Sequence, residues 1–155
     1  PDPTSQLKLI PTSTAEIYAV MLPSHPLAVF EKIDLHQLSD TDIILLDAKS
    51  CIQGQIMEEF QRLGILPRIR STHEQIFCML NMVKLGNFVG FLNASDPIMR
   101  QYLTDIGLII RPLDPPVTLA AGFIVNTRRH LPKLAEELIS FTRRLETEGT
   151  AKETQ

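Results

Sequence analysis

The sequence predicts an α/β fold with a largely parallel sheet flanked by helices. Three observations predict it. Short apolar, β-branched runs, of which Asp42–Leu46 (DIILL) is the clearest, alternate along the chain with segments of helical period. The DIILL run is continuous rather than alternating, as a strand covered on both faces is. Helix-start and helix-stop residues fall between the runs, the order that right-handed β–α–β crossovers produce.

Taken in order, residues 1–13 are rich in Pro, Ser and Thr, with Leu7, Leu9 and Ile10 as a short apolar patch. They read as a connecting segment with an extended edge. Glu16–Leu22 (EIYAVML) is a strand that Pro23 ends, and Ser24-His25-Pro26 is a turn. Asp34–Leu38 is one short helical turn, and Asp42–Leu46 is the buried strand. Ser50 opens a helix, with Gln53 at capping-box spacing. Ile52, Ile56, Phe60 and Leu63 share one face of it, and Gly64 supplies the left-handed stop. Pro67–Arg70 is a second short strand. Thr72 and Gln75 repeat the capping-box spacing, and Ile76, Leu80 and Val83 form the buried stripe of a helix ending near Gly86. Phe88–Leu92 is the next strand. Asp96-Pro97 caps and starts another helix, and Gly107 ends it. Leu108–Arg111 is extended, and Thr118–Val125 is a longer apolar strand. Pro132–Leu145 is an amphipathic helix built on Leu134, Leu138, Ile139 and Leu145, with Arg143 and Arg144 complementing the dipole of its last turn. Residues 146–155 form a polar tail expected to fray.

Composition narrows the function classes. Of the 155 residues, 44% are hydrophobic and 21% charged, so a packed core is expected and disorder is not. A formal net charge of −3, with no basic stripe beyond short pairs such as Arg128-Arg129, opposes phosphate-backbone binding by these residues. Cys51 and Cys78 are too few for a disulfide framework and fit a reducing, cytoplasmic setting. No apolar run approaches the roughly 18 residues that span a bilayer, so no membrane partner is expected. No signal peptide is visible, and because it begins at Pro1 the chain is expected to be part of something longer. His, Cys and carboxylates nowhere stand at metal-ligand spacing, and no glycine-rich phosphate loop occurs, so neither metal nor cofactor is expected.

The order and spacing of several segments resemble one family. Val20–Ala28 (VMLPSHPLA) looks like the strand and His-Pro-Leu-Ala turn of LysR-type transcription regulators. Leu35–Asp47 (LHQLSDTDIILLD), Phe60–Pro67 (FQRLGILP) and Val83–Leu92 (VKLGNFVGFL) are similar to successive segments of their effector domain. Leu113–Arg128 and Leu131–Phe141 look like its returning strand and terminal helix. Phe88 and Asn93 stand where the family signature has Gly and Pro. The resemblance covers residues 7–145. It implies a periplasmic-binding-protein-like fold of two subdomains around a ligand cleft, with the second subdomain complete and the first only partly present. Residues 1–17 would connect from subdomain I, residues 18–119 would be subdomain II, and residues 120–145 would return to subdomain I. The implied function is effector sensing rather than catalysis. The implied partners are a small-molecule effector such as an organic acid, further copies of the chain through the effector domain, and DNA only through an N-terminal winged helix-turn-helix outside this sequence.

The chemistry of such a fold sits beyond the carboxyl ends of strands, beside helix amino termini. Two places qualify: Asp47–Cys51 after DIILL, and Ser71–His73 after PRIR. The expected ligand-binding residues are Ser50, Cys51, Ser71, Thr72 and Asn93. The competing reading for each hydroxyl is that it only caps its helix. Cys51 sits in a first helical turn, a position that favours a thiolate, and it resembles the peroxide-reactive cysteine of one branch of the family. That branch has a His where Ser50 stands and a resolving cysteine where Phe60 stands. A pocket-lining role is therefore expected for Cys51, and core packing for Cys78. His25 is expected to be solvated in its turn, His36 exposed, His73 a surface polar group and His130 near the start of the last helix. The alternatives are a solute-binding protein, a redox sensor acting through Cys51, and a thiol enzyme with His73 as base.

Overall fold

The computed structural model describes residues 6–152, with side chains to residue 145. In chain order the elements are β1 Leu7–Met21, a 3-10 turn Pro26–Val29, β2 Ile33–Asp34, a 3-10 turn Leu35–Leu38, β3 Asp42–Leu46, α1 Cys51–Arg62, β4 Arg68–His73, α2 Ile76–Leu85, β5 Gly90–Asn93, α3 Pro97–Asp105, β6 Ile109–Asn126 and α4 Lys133–Lys152. The chain divides into two compact units, residues 16–119 and residues 1–15 with 120–155.

In the larger unit, β3 pairs in parallel with β4, and Ile43 makes a parallel bridge to Val89. β2 pairs in parallel with β6 through Ile33↔Leu113 and Asp34↔Asp114. β1 pairs antiparallel with β5, from Ile17↔Asn93 to Val20↔Gly90. The α/β class holds, with mixed pairing: β1 and β6 are neighbours in a four-stranded sheet of order β2-β6-β1-β5.

Alternation along the strands builds two cores. Ile43 and Leu45 of β3 face a cluster with Ile17, Ala19, Ile56, Phe60 and Phe91. Ile44 and its neighbours face the other cluster, with Val20, Met79, Leu80, Val83, Leu92 and Leu103. α1 therefore covers one face and α2 with α3 the other, which is why Ile43–Leu46 holds no polar residue. Phe60 meets Phe91 edge-on at 6.3 Å between ring centroids. The left-handed Gly64 and Gly107, at φ 69° and 80°, close α1 and α3 as expected. Asp96 caps α3, its Oδ1 accepting from Ile98 N at 2.9 Å.

In the smaller unit, Thr12 Oγ1 donates to the Ala121 carbonyl at 3.3 Å and Thr127 N donates to the Gln6 carbonyl at 2.8 Å. A Cβ at Gly122 would run into the Ile10 carbonyl, so the backbones of β1 and β6 approach there as only glycine allows.

Several expectations change. Residues 7–13 belong to β1 rather than to a connector, and Ile109–Arg111 and Thr118–Val125 are parts of one strand, β6, with Leu108 just before it. Pairing of the two segments overrides their Pro-rich composition. α4 runs on to Lys152, so the tail expected from residue 146 is helical for most of its length, and residues 153–155 lie outside the described residues. His25 is buried, not solvated, at 4% exposure. Its Nδ1 accepts from Leu27 N at 3.1 Å and caps the Pro26–Val29 turn. Burial pushes its pKa below the usual histidine value, while a hydrogen bond to the Asn87 backbone acts in the opposite sense. Cys78 is exposed rather than in the core, because α2 turns Met79, Leu80 and Val83 inward.

Candidate ligand site at the ends of β3 and β4

The site is built by the ladder between β3 and β4. The register Ile44↔Ser71, Leu45↔Thr72, Leu46↔His73 carries the pair to the end of both strands. It continues one residue further, with Asp47 N donating to the His73 carbonyl at 2.9 Å. Ser71 and Thr72 are therefore strand residues, not helix starts. The capping box expected from Thr72 and Gln75 does not form, and α2 begins at Ile76 with Gln75 as its N-cap. Successive strand residues point to opposite faces. Ser71, beside Ile44, lies on the α2 face, and exposed Thr72, beside Leu45, on the α1 face. Ser71 Oγ and His73 Nε2 are 3.0 Å apart on one face.

After β3 the chain turns at Asp47, whose Oδ1 accepts from Lys49 N at 3.2 Å. Ser50 is the N-cap of α1 with extended backbone, as expected, yet its hydroxyl makes no capping bond. The reciprocal half of a capping box is absent too, because the Ser50 N–H, which Gln53 would accept, is taken by the Asp47 carbonyl at 2.9 Å. Gln53 Oε1 is left buried with no protein donor. The first intrahelical bond is Gly54 N to Ser50 O at 3.1 Å. The N–H groups of Cys51, Ile52 and Gln53 precede it, and such groups have no intrahelical acceptor. An α-helix start thus combines uncommitted donors, a free hydroxyl and the positive end of the dipole.

In front of it is an open concavity of about 440 Å³, lined by Leu46, Asp47, Lys49, Ser50, Glu74 and Ile76. Lys49 Nζ is 4.0 Å from Asp47 Oδ2 and its side chain is 86% exposed, so that pair is weak and the ammonium is available. Of the five expected site residues, Ser50 lines this space. Cys51 follows it as the first, exposed residue of α1. Ser71 and Thr72 stand on the neighbouring strand. Asn93 ends β5, exposed, with its Oδ1 accepting from Ser95 N at 2.8 Å.

Sequence reasoning missed Lys49 and Glu74 as lining residues. It also missed two arginines that set the framework. Arg111 donates to the Phe30 carbonyl at 2.7 Å and the Ala28 carbonyl at 2.9 Å, fastening the 26–30 segment to β6. Arg100 donates to the Ala94 carbonyl at 2.6 Å and to Tyr18 Oη at 2.8 Å, with its guanidinium 4.8 Å from the centre of the Tyr18 ring. Burial, and next the hydrogen bond to Glu16, raise the Tyr18 pKa. Burial of Tyr18 and the proline-rich setting of Arg111 give no local sign of these bonds. His25 did carry a signal, since a polar residue directly before Pro is an N-cap pattern. Among the described residues no group of His, Cys, Asp and Glu could hold a metal ion. No described helix is long and apolar enough to cross a membrane.

Comparison with known proteins bears on this geometry. Residues 1–146 match the family described as LysR substrate binding domain. The effector-binding domain of QuiR, solved in complex with shikimate, superposes with a TM-score of 0.78 at 17% identity, covering 96% of this chain and 69% of that one. HinK, a LysR family transcriptional regulator from Pseudomonas aeruginosa, gives 0.75 at 21% identity, and the chain, 94% covered, spans 50% of its length. The regulatory domain of CcmR from Synechocystis PCC6803, solved in complex with 2-PG, gives 0.70 at 15% identity, covering 94% of this chain and 70% of that one.

Proposed function

This chain belongs to the family of LysR substrate-binding domains, and we propose that it senses a small carboxylate effector for a transcription regulator. The observation that carries the site is the start of α1, where the Ser50 hydroxyl and the first helical N–H groups are uncommitted beside Lys49. These groups suit one carboxylate. Asp47 and Glu74 on the same concavity disfavour a second negative charge on the ligand. The preferred effector is therefore a monoanion with hydroxyl or other neutral polar groups. Ser50 and the α1 amides hold its carboxylate, Ser71 and Cys51 flank it, and Thr72 and Asn93 reach parts of the ligand beyond. The complexes of QuiR with shikimate and of CcmR with 2-PG support an anionic metabolite as the class.

In this reading residues 18–119 form the second subdomain of the effector domain, and residues 1–17 and 120–145 belong to the first. The whole regulator acts in the cytoplasm as a homo-oligomer and holds DNA through a separate winged helix-turn-helix. Effector binding shifts the population between arrangements of the regulator that it binds unequally. No catalytic step is part of this function. The peroxide-sensing alternative lacks a thiol at the resolving position, where Phe60 stands.

Shikimate, a hydroxylated monocarboxylate, is the probe for the test. Backbone amide NMR shifts of the full chain, titrated with shikimate into the millimolar range, are expected to move at residues 47–53 and 71–73. Ser50→Ala is expected to weaken the response severalfold. Saturable shifts centred elsewhere, or none in that range, would overturn the assignment of the site.

A further inference from the structure

His25 holds two stretches of backbone at once. Its Nδ1 accepts from Leu27 N at 3.1 Å and so caps the Pro26–Val29 turn. Its other contact is the backbone of Asn87, in the connection between α2 and β5, and this bond favours the protonated ring. A bond with that effect is one the ring donates, so the Asn87 carbonyl accepts it. With Nδ1 occupied as an acceptor, the donor is Nε2. The two bonds therefore fix one neutral tautomer of the ring. What the turn covers is core: Ala28 is buried in the cluster with Ile17, Ile56 and Phe60, and Leu27 packs against it. The far end of the segment is fastened separately, by Arg111 of β6 on the Ala28 and Phe30 carbonyls.

A proton added to this ring must go to Nδ1, where the new N–H would face the Leu27 N–H. Two donors then oppose each other and the cap is lost. The charge is not compensated either. On the elements around the ring, Lys84 of α2, Arg111 of β6 and Lys32 after the turn are cations, and the carboxylate beside Lys32, Glu31, is exposed. At 4% exposure an unpaired imidazolium is more stable in water than in place. We propose that Pro26–Val29 is a proton-operated clasp, shut while His25 Nδ1 accepts from Leu27 N and opened when that nitrogen takes up a proton. Arg111 keeps Phe30 on β6, so the segment swings away from its His25 end and stays attached to the fold. Opening uncovers Leu27 and Ala28 next to Val29, which is already 81% exposed, and frees the Asn87 carbonyl before β5. The clasp is separate from the effector reading, since none of its residues lines the concavity at Ser50.

The test is native-state hydrogen exchange of the full chain, followed by NMR between pH 7.5 and pH 5, with each amide rate divided by its intrinsic rate at that pH. The Leu27 and Ala28 amides report the clasp. The Ile44 and Val89 amides, bonded to Val89 O and Asp42 O, report the core. Leu27 and Ala28 are expected to be protected at least about a hundredfold less than the core pair, because the turn opens while the sheet stays closed. In the open form the ring has the ordinary histidine value of about 6.5, so the opening constant rises by up to about tenfold for each pH unit below it. Protection of Leu27 and Ala28 is therefore expected to fall about tenfold across the range. His25→Asn keeps an acceptor for Leu27 N without a titrating group, and there the fall is expected to vanish. The wild-type measurement decides alone if that variant does not fold. Protection at Leu27 and Ala28 equal to that of the core pair overturns the proposal, since the turn would then open only with global unfolding. So does protection at these two amides that stays constant across the range, or an undiminished fall in folded His25→Asn.

Discussion

Two helix starts in this chain look alike in sequence and differ in bonding, and the difference can be measured. Asp96 caps α3 through a 2.9 Å bond from Ile98 N, whereas the Ser50 hydroxyl makes no capping bond to α1. Asp96→Ala removes a satisfied cap, worth about 1 kcal/mol, and a carboxylate near a helix amino terminus, worth a further 0.3–1 kcal/mol or so. Ser50→Ala removes a hydroxyl on which α1 does not depend, and its cost should stay within about 0.5 kcal/mol, as for substitutions outside any structural bond. With a urea m-value of about 2 kcal/mol/M, the Asp96 variant loses about 0.5–1 M in its unfolding midpoint and the Ser50 variant about 0.25 M or less. The assay is urea unfolding of the full chain followed by far-UV circular dichroism, with m-values compared to verify that the same surface unfolds. Equal midpoint losses for the two variants would refute the reasoning. They would mean that the Ser50 hydroxyl caps α1 in solution and is not held in reserve for a ligand.

Phe60 is fully buried against Phe91, so Phe60→Ala is expected to cost about 3–5 kcal/mol, lowering Tm by about 6–20 °C for a chain of this size. A scanning-calorimetry loss below about 3 °C would mean that α1 does not pack there. Burial lowers the His25 pKa in the folded state, so near and below pH 6.5 the unfolded chain binds more protons at this residue than the folded one. Its contribution to stability is complete above the unfolded value and is lost as pH falls from about 6.5 through the lower folded value. The acid side of a Tm–pH profile should therefore be flatter in His25→Asn, which keeps an acceptor for Leu27 N. Superimposable slopes between pH 7.5 and 5 would remove His25 from the linkage.

What could be read from the chain depended on where the deciding interaction lies. DIILL was legible because α1 covers one face and α2 with α3 the other, which leaves no polar residue after Asp42 in β3. Asp96-Pro97 and Gly107 were legible because their work is done within a few residues. The reach of β1 and β6 was not, since Pro11 and Thr12, or Pro115 and Pro116, read as loop until each strand supplies the other's partner. His25 is buried and bonded to the backbone of Asn87, far along the chain, and a local turn pattern carries no trace of that.

The candidate site shows the same division. Its composition was visible in Asp47–Cys51 and Ser71–His73, but the register between β3 and β4 decides what those residues do. Because the ladder runs on to His73, Asp47 is drawn in by its own N–H, and its carbonyl then takes the Ser50 N–H that a capping box needs. That backbone bond occupies the donor Gln53 would accept, and the Ser50 hydroxyl makes no capping bond to α1. A substitution that shifted the β3–β4 register by one residue would move Ser71 to the opposite face of the sheet without altering any side chain at Asp47–Cys51.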